Sequence, residues 1–252
     1  NKDKLMEKKI FLINSEASLW LDINKDSNTE FGIIKSEQLK KAKAGSKIKT
    51  HIGKVFFVVE PSAPDLFRKM IRLPQIITLK DIGSVLAYSG IKANSKILEA
   101  GTGSAFATCV MASFAKEGKV VSYERRGDFA KVANKNVALY GLQNVSIINA
   151  DIKKGVKQKE FDFVLLDLPD PWEVIPTVIK SIKVGGRLCT YSPSIIQVER
   201  TLKSLPASMK VERLISTVEN NWKVDLSRDI LRPESDGITH TAFLLFSRKI
   251  EK

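Results

Sequence analysis

The sequence predicts an α/β protein, a seven-stranded doubly wound sheet preceded by a small β-rich N-terminal domain. Three observations carry this prediction. Short apolar runs alternate with helical stretches from residue 95 onward, the pattern of a parallel sheet with helices on both faces. The first sixty residues instead hold closely spaced β-type runs. A pair of glycines, Gly101 and Gly103, falls where the first strand of the alternating part turns into its first helix. A chain of 252 residues, 43% hydrophobic and 27% charged, has room for one large core with a small domain beside it.

In the N-terminal part the β runs are Ile10–Ile13, Leu19–Leu21, Ile48–Ile52 and Val55–Val59, separated by turn signals at Asn24 to Ser27, Ala44-Gly45 and Gly53. Strands this short and close suggest a small barrel or sandwich over residues 1–60. Pro61 and Pro64 open a linker and helical region over 61–94, with a helical stretch from Asp65 to Gly90. The catalytic domain is expected over 95–252. Its strands are read as Lys96–Ala100, Val120–Tyr123, Val145–Asn149, Phe161–Leu166 and Arg187–Tyr191. Its helices are read as Ser104–Ala115, Phe129–Tyr140, Pro171–Ile182 and Ser194–Leu205. Val211–Val218 and Thr241–Phe246 close the chain as a hairpin-like pair that adds an antiparallel edge.

Forty-one Lys and Arg against 28 Asp and Glu give a formal charge of +13, which points to a polyanionic partner such as nucleic acid. From Lys35 to Lys54 there are seven lysines and one acid, Glu37. Lys40, Lys41 and Lys43 head the phosphate contacts expected there, the alternative being a solvated charge run. Cys109 and Cys189 sit alone in apolar runs, which suits buried thiols in a reducing cytosol and no metal site. No apolar stretch approaches the roughly 20 residues that span a bilayer, and charged Asn1–Lys9 is no signal peptide. A chain that begins with Asn is expected to have lost its initiator Met.

Ligands of doubly wound sheets bind beyond the carboxyl ends of the strands. There the chain reads Glu99-Ala100-Gly101-Thr102-Gly103-Ser104-Ala105. Glu124 ends the second strand, where a carboxylate can accept from both ribose hydroxyls of a nucleoside. Asp151 follows the third strand, within reach of an adenine amine. Phe106 stands where a dinucleotide fingerprint needs its third glycine, so S-adenosylmethionine is preferred to a nicotinamide cofactor. The fourth strand leads into Leu166-Asp167-Leu168-Pro169-Asp170-Pro171-Trp172, a proline-stiffened loop with an aromatic, suited to holding a flat base. The competing reading is a kinked turn with Trp172 in the core.

These residues make the chain resemble the tRNA (adenine-N1)-methyltransferases that act on the T-loop adenine 58. The match runs through Gly53–Phe57, Pro74–Asp81, Ile97–Ser104, Tyr123–Phe129, Leu166–Trp172, Tyr191–Val198, Leu231–Glu234 and His240–Leu244. The resemblance implies a class I methyltransferase domain, a tRNA-binding N-terminal domain, a cytoplasmic homotetramer, and neither membrane nor metal. It implies cofactor contacts at Gly101, Gly103, Ser104, Ala105, Phe106, Glu124, Arg126, Asp151 and Asp167. Asp167 is the expected catalytic residue. N1 of adenine attacks through an in-plane lone pair and the product is cationic, so a carboxylate against the exocyclic amine orients the base and stabilises the charge. Thr78, Pro169 and Trp172 are expected against the target base. The chain departs from the family at Ala105 and Ala242, where glycine is usual, and at Thr78, where an aromatic or histidine is common. Two other readings remain open at this point: an isoaspartyl protein methyltransferase, and a non-catalytic RNA-binding subunit with a decayed pocket.

Overall fold

The computed structural model describes residues 9–234 and 240–251, so most of the charged stretch Asn1–Lys9 lies outside the described residues. By its internal contacts the chain divides into two units. One holds the residues up to Met70 together with Ala138–Gly141, and the other holds Ile71–Val137 and the residues from Leu142 onward.

The first unit is built on a four-stranded antiparallel sheet. Its strands are β1 (Lys9–Ile13), β2 (Ser18–Asp22), β5 (Lys47–Lys49) and β6 (Val55–Val58), in the order β2-β1-β6-β5. A short ladder of β3 (Ser27–Thr29) and β4 (Gly32–Ile34) and a helix α1 (Ser36–Lys41) lie between β2 and β5 in sequence. Leu12, Leu21, Ile34, Ile48, Phe56 and Val58 of the strands and Leu39 of α1 form its core, with Phe56 and Val58 on one face of β6. The run expected over Ile48–Ile52 stops at Lys49, because Thr50 and Gly53 close a turn with Lys54. Helix α2 (Ala63–Lys69) completes the unit; Ser62 and Asp65 cap its start reciprocally and Pro64 sits in its first turn.

The second unit opens with α3 (Leu79–Ser89), which ends at Gly90 in the left-handed conformation. The helical region expected over Asp65–Gly90 holds two helices, α2 and α3, with an open stretch between them. Pro74 has no N–H to give, Gln75 takes a φ of +62°, and the Leu73 N–H is spent on the Ser104 hydroxyl at 2.7 Å. Then come β7 (Lys96–Ala100), α4 (Phe106–Phe114), β8 (Lys119–Tyr123), α5 (Gly127–Leu139), β9 (Val145–Ile148) and β10 (Phe161–Leu166). The helix expected over Pro171–Ile182 is a 3-10 turn, Pro171–Glu173, followed by the short α6 (Ile175–Ile179). Pro176 limits it: its missing N–H is harmless in a first turn and disruptive farther in. The fifth strand, β11 (Ile182–Ser192), is longer than Arg187–Tyr191, because Gly185-Gly186 is absorbed as an irregularity rather than ending it. Helix α7 (Ile195–Ser204) starts at a Ser194/Gln197 capping box. Beyond it lie β12 (Met209–Ser216), an unforeseen hairpin of β13 (Trp222–Asp225) and β14 (Ile230–Pro233), and β15 (Phe243–Lys249).

The seven strands order as β12-β15-β11-β10-β7-β8-β9. β7 to β11 are mutually parallel, and β15 runs antiparallel between β11 and β12. The two central strands, β7 and β10, lead to opposite halves of the sheet, so the chain diverges above them and leaves a crevice. One face is sealed by Leu98, Val164 and Leu166 against Val174, Ile175 and Val178. Leu98 is fully buried at the centre of that layer. Leu98→Ala should lower stability by about 2–5 kcal/mol, seen as a fall in the denaturation midpoint at an unchanged slope; a midpoint within error of wild type would contradict this packing.

Candidate active site

The crevice is assembled from the ends of four strands, β7, β8, β9 and β10, joined by three backbone hydrogen bonds. The Gly101 N–H donates to the Tyr123 carbonyl at 3.1 Å, the Asp167 N–H to the Ala100 carbonyl at 2.9 Å, and the Glu124 N–H to the Ile148 carbonyl at 2.9 Å. Gly101 has a φ of +91°, and a Cβ there would lie 1.9 Å from the Asp167 carbonyl oxygen. Only glycine allows the two loops to approach this closely. At Gly103, by contrast, a Cβ would meet nothing within 4 Å. That backbone is open toward the cleft.

The cleft is lined by Gln75–Ile77, Glu99, Gly101–Ser104, Phe106, Ala107 and Asp167. Phe106 begins α4 and is buried. Ala105, just before it, adopts a φ of +61°, the left-handed conformation that glycine reaches without the penalty of a Cβ. The Ser104 carbonyl accepts from the Asn136 amide at 2.8 Å, and the same amide exchanges hydrogen bonds with the backbone of Ile71. Residues 71–77 are thereby fastened beside the glycine loop.

Three carboxylates converge on this cleft. Glu124 accepts the N–H groups of Gly103 at 3.1 Å and Arg126 at 2.9 Å, which leaves lone pairs on both oxygens. Glu99 is buried and accepts from the Thr108 and Ser122 hydroxyls. Burial pushes Glu99 up to about 7, with the Glu124 charge adding to it against the two hydroxyl hydrogen bonds. Burial likewise pushes Asp167 up to about 8, helped by the charges of Glu99 and Glu124. Crowded acids with raised pKa values fit a cationic ligand, because a positive charge would relieve both the desolvation and the repulsion. S-adenosylmethionine carries a sulfonium and an ammonium, and the open backbone at Gly103 admits a nucleoside beside Glu124.

Asp151, Arg126, Thr78, Pro169 and Trp172 lie in the second unit but are not among the residues lining the cleft. Asp151 caps the 3-10 turn Ile152–Lys154 by accepting from the Lys153 N–H at 2.9 Å. Arg126 pairs with Asp128 at 2.9 Å and stacks on Phe129 with 3.7 Å between guanidinium and ring centroid. The Thr78 hydroxyl donates to Asp81 at 2.9 Å. The Pro169 carbonyl accepts from Gln197 at 3.0 Å, and Trp172, half-buried, has the Arg200 guanidinium 5.1 Å from its ring centroid. Helix α7 thus holds the proline loop by two side chains, neither singled out in the sequence as a site residue. Gln197 was visible within the Tyr-x-Pro-x-x-x-Gln-Val stretch; Arg200, one turn on, carried no signal. Glu99 was missed as well, although a carboxylate ending an apolar strand just before Gly-x-Gly is itself a signal. Lys40, Lys41 and Lys43 are exposed on and just after α1, in the other unit. Lys35 and Lys54 of the same run are committed to ion pairs with Asp26 and Glu16. Among the described residues no His, Cys, Asp and Glu cluster has the makings of a metal site.

A seven-stranded sheet with its last strand antiparallel and an acidic glycine-lined cleft at the divergence point defines a class I S-adenosylmethionine-dependent methyltransferase. The family of the tRNA methyltransferase complex GCD14 subunit matches residues 54–224. The chain is 32% identical to the tRNA (adenine(57)-N(1)/adenine(58)-N(1))-methyltransferase TrmI of Methanocaldococcus jannaschii, over 87% of this chain and 86% of that one. It is 29% identical to the tRNA (adenine(58)-N(1))-methyltransferase catalytic subunit TRM61 of Candida albicans, over 88% of this chain and 69% of that one. Among solved structures it is similar to a SAM-dependent O-methyltransferase from Thermotoga maritima, with TM-score 0.81, 31% identity and coverage of 100% and 96%. The tRNA (m1A58) methyltransferase TrmI of Aquifex aeolicus gives TM-score 0.77, 25% identity and coverage of 97% and 98%. The chain belongs to the GCD14 family of tRNA methyltransferases.

The raised carboxyl of Asp167 has a consequence for stability. Its folded pKa lies above the ordinary carboxylate value, so the folded protein holds this proton more tightly than the unfolded chain does. The associated stability is fully present below about pH 4 and is lost as pH rises toward about 8. Asp167→Asn cannot ionise and should melt at the wild-type temperature near pH 4 but several °C higher at pH 8, at roughly 2–4 °C per kcal/mol for a chain of this size. Thermal midpoints across pH without cofactor check this, and an offset independent of pH would contradict it.

Proposed function

We propose that this protein transfers the methyl group of S-adenosylmethionine to N1 of the T-loop adenine 58 of tRNA. The observation that carries the reading is the convergence of Glu99, Glu124 and Asp167 on the glycine-lined cleft, in a chain whose relatives are named as enzymes of that reaction. The retained acids and the likeness to a catalytic subunit favour an enzyme over a non-catalytic partner. The same likenesses to tRNA enzymes weigh against an isoaspartyl protein substrate.

Bound S-adenosylmethionine supplies an electrophilic methyl on a cationic sulfur. In this reading the Gly101–Gly103 backbone, Ser104, Ala105 and Phe106 form one wall of its site, and Glu124 accepts the ribose hydroxyls. Asp151 takes the adenine amine, Arg126 braces the rim, and Asp167 stands where cofactor and target base meet. Asp167 holds the exocyclic amine of the target adenine and faces the positive charge that grows on the ring as N1 is methylated. Thr78, Pro169 and Trp172 border the base; with Thr78 turned to Asp81 and Trp172 covered by Arg200 on one side, their contribution is shape rather than a free polar group. Residues 1–60 serve as the RNA-gripping domain, 61–94 as linker and helical region, and 95–252 as the catalytic domain. Extrusion of a base from the tRNA elbow costs unstacking energy, and lysine contacts with phosphate offset part of it.

The protein acts in the cytoplasm and as a homotetramer in this reading. Exposed Trp222, Val224, Leu226 and Leu231 of the β13–β14 hairpin, and β12 as an edge strand of the large sheet, support self-association. Among the described residues no helix is long and apolar enough to cross a membrane.

The likeness to a protein named as an O-methyltransferase makes a hydroxyl acceptor the second reading. Nucleoside mass spectrometry of tRNA treated with the pure protein and S-adenosylmethionine separates the two. The expected product is 1-methyladenosine at position 58, and a ribose-methylated nucleoside would favour the other reading. Asp167→Asn should cut the single-turnover rate by about 10²–10³-fold, the usual effect of removing one preorganised electrostatic interaction. A rate near wild type at saturating cofactor and tRNA would remove Asp167 from the chemistry.

Lys40, Lys41 and Lys43 replaced together by Ala should weaken tRNA binding and lessen its dependence on salt. The slope of log affinity against log salt should shrink by up to roughly 0.9 for each phosphate the lysines no longer neutralise. Cofactor affinity should not move. Titrations at several salt concentrations check this, and an unchanged slope would place the RNA path elsewhere.

A further inference from the structure

The second unit contains a buried ionic network outside the cofactor cleft. Asp81, in the first turn of α3, is completely shut off from solvent. Its carboxylate accepts from Thr78 at 2.9 Å, the Lys80 ammonium at 2.8 Å, the Tyr191 hydroxyl at 3.1 Å, Thr241 at 2.6 Å, and Thr217. Lys80 in turn donates to the Thr217 carbonyl at 2.9 Å and to the Thr241 hydroxyl at 2.6 Å. Burial would raise the Asp81 carboxyl, but hydrogen bonds from Lys80, Thr217, Thr241 and Thr78 outweigh it and hold Asp81 below its usual range. Buried ion pairs are a weak source of stability, since well-packed apolar side chains often do as well. What such a pair supplies is fixed geometry, and here the geometry concerns Tyr191.

Tyr191 follows Thr190, which pairs with Leu166 in the parallel ladder of β10 and β11. Asp167 follows Leu166, so Tyr191 and Asp167 stand side by side at the carboxyl ends of adjacent strands. Tyr191 is buried, and burial together with the charges of Asp81 and Asp167 keeps its phenol protonated as a donor. Its hydroxyl is spent on Asp81, which directs the ring. The same carboxylate holds Thr78 at the start of α3, a residue at the border of the target base in the proposed reaction.

We propose that Asp81 is a positioning residue for methyl transfer: it fixes the Tyr191 ring beside Asp167, and the start of α3, as two walls of the acceptor-base subsite. This inference rests on the methyltransferase reading and deepens it. Asp81 acts through the groups it holds, the Tyr191 and Thr78 hydroxyls, and not by contact with the base.

The test is a double-mutant cycle of Asp81→Asn and Tyr191→Phe, read as the single-turnover rate at saturating tRNA and S-adenosylmethionine. Each single variant should show a rate about tenfold lower, and the double variant should be no slower than the worse single. Cofactor affinity, measured by calorimetry, should stay within about twofold. A role in stability alone would lower the melting temperature and leave the rate of the folded fraction unchanged, which overturns the proposal. Losses that multiply in the double variant overturn it too. Tyr191→Phe removes a single oxygen, so it decides the matter alone if Asp81→Asn does not fold, and a wild-type rate there is fatal. A wild-type protein that transfers no methyl to tRNA overturns the parent reading and this inference with it. Active wild type with an unaffected Tyr191→Phe overturns only the inference.

Discussion

The site depends on the near-contact between the backbones of Gly101 and Asp167. Two parallel strands, β7 and β10, run side by side to the middle of the sheet and then part. For the loops above them to share one crevice, the chain at residue 101 must pass where any side chain would strike the Asp167 carbonyl. The missing Cβ lets the Asp167 N–H reach Ala100 and closes the two strand ends into one floor. Every polar group of the cleft is measured from that floor. Glu99 lies just below it, Gly103 opens beside it, and Glu124 reaches across from the next strand.

The electrostatics of the molecule run in opposite senses inside and out. The surface carries the excess of cations that makes the chain +13, and its exposed lysines suit a phosphate backbone. The cleft gathers three carboxylates within a desolvated space, at the cost of raised pKa values for Glu99 and Asp167. A methyl transfer from a sulfonium to a neutral ring nitrogen moves positive charge from one side of such a cleft to the other and creates none. Fixed negative groups that need not reorganise suit that movement better than a strong base would. In the proposed reaction the polyanion and the cationic reaction centre are served by separate populations of side chains.

The strand-helix alternation from Lys96 to Leu166 was legible almost residue by residue, because each strand is a short, mostly apolar run with a turn signal at its end. Glu124, Asp151 and Asp167 could be picked out as polar residues closing such runs. The misreadings have local causes. Residues 70–78 fall inside the expected helical region, but Pro74, the left-handed Gln75 and the tie from Leu73 to Ser104 hold them open. The three-residue strands β3 and β4 and the exposed hairpin β13–β14 are too short and too polar or solvated to show a period. Pairings such as Asp81 with Tyr191 and Gln197 with Pro169 join residues 110 and 28 apart, and only the tertiary fold brings them together. Thr78 illustrates the limit: its place before Lys80-Asp81 was apparent, but not that its hydroxyl would already be taken.

The position of β15 has a consequence for how the protein is made. It is the last strand in the sequence, yet it lies inside the sheet, with β11 on one side and β12 on the other. Leu244, Leu245 and Phe246 are buried there, so β11 and β12 have no ladder between them until this segment arrives. On a ribosome the earlier strands emerge first, at a pace of about 5–20 residues per second. They must wait with an apolar slot open while the β13–β14 hairpin and the rest of the excursion after β12 pass through the exit tunnel. Until β15 emerges the sheet cannot close between β11 and β12, and the apolar surface it covers is open to chaperones and to mispairing.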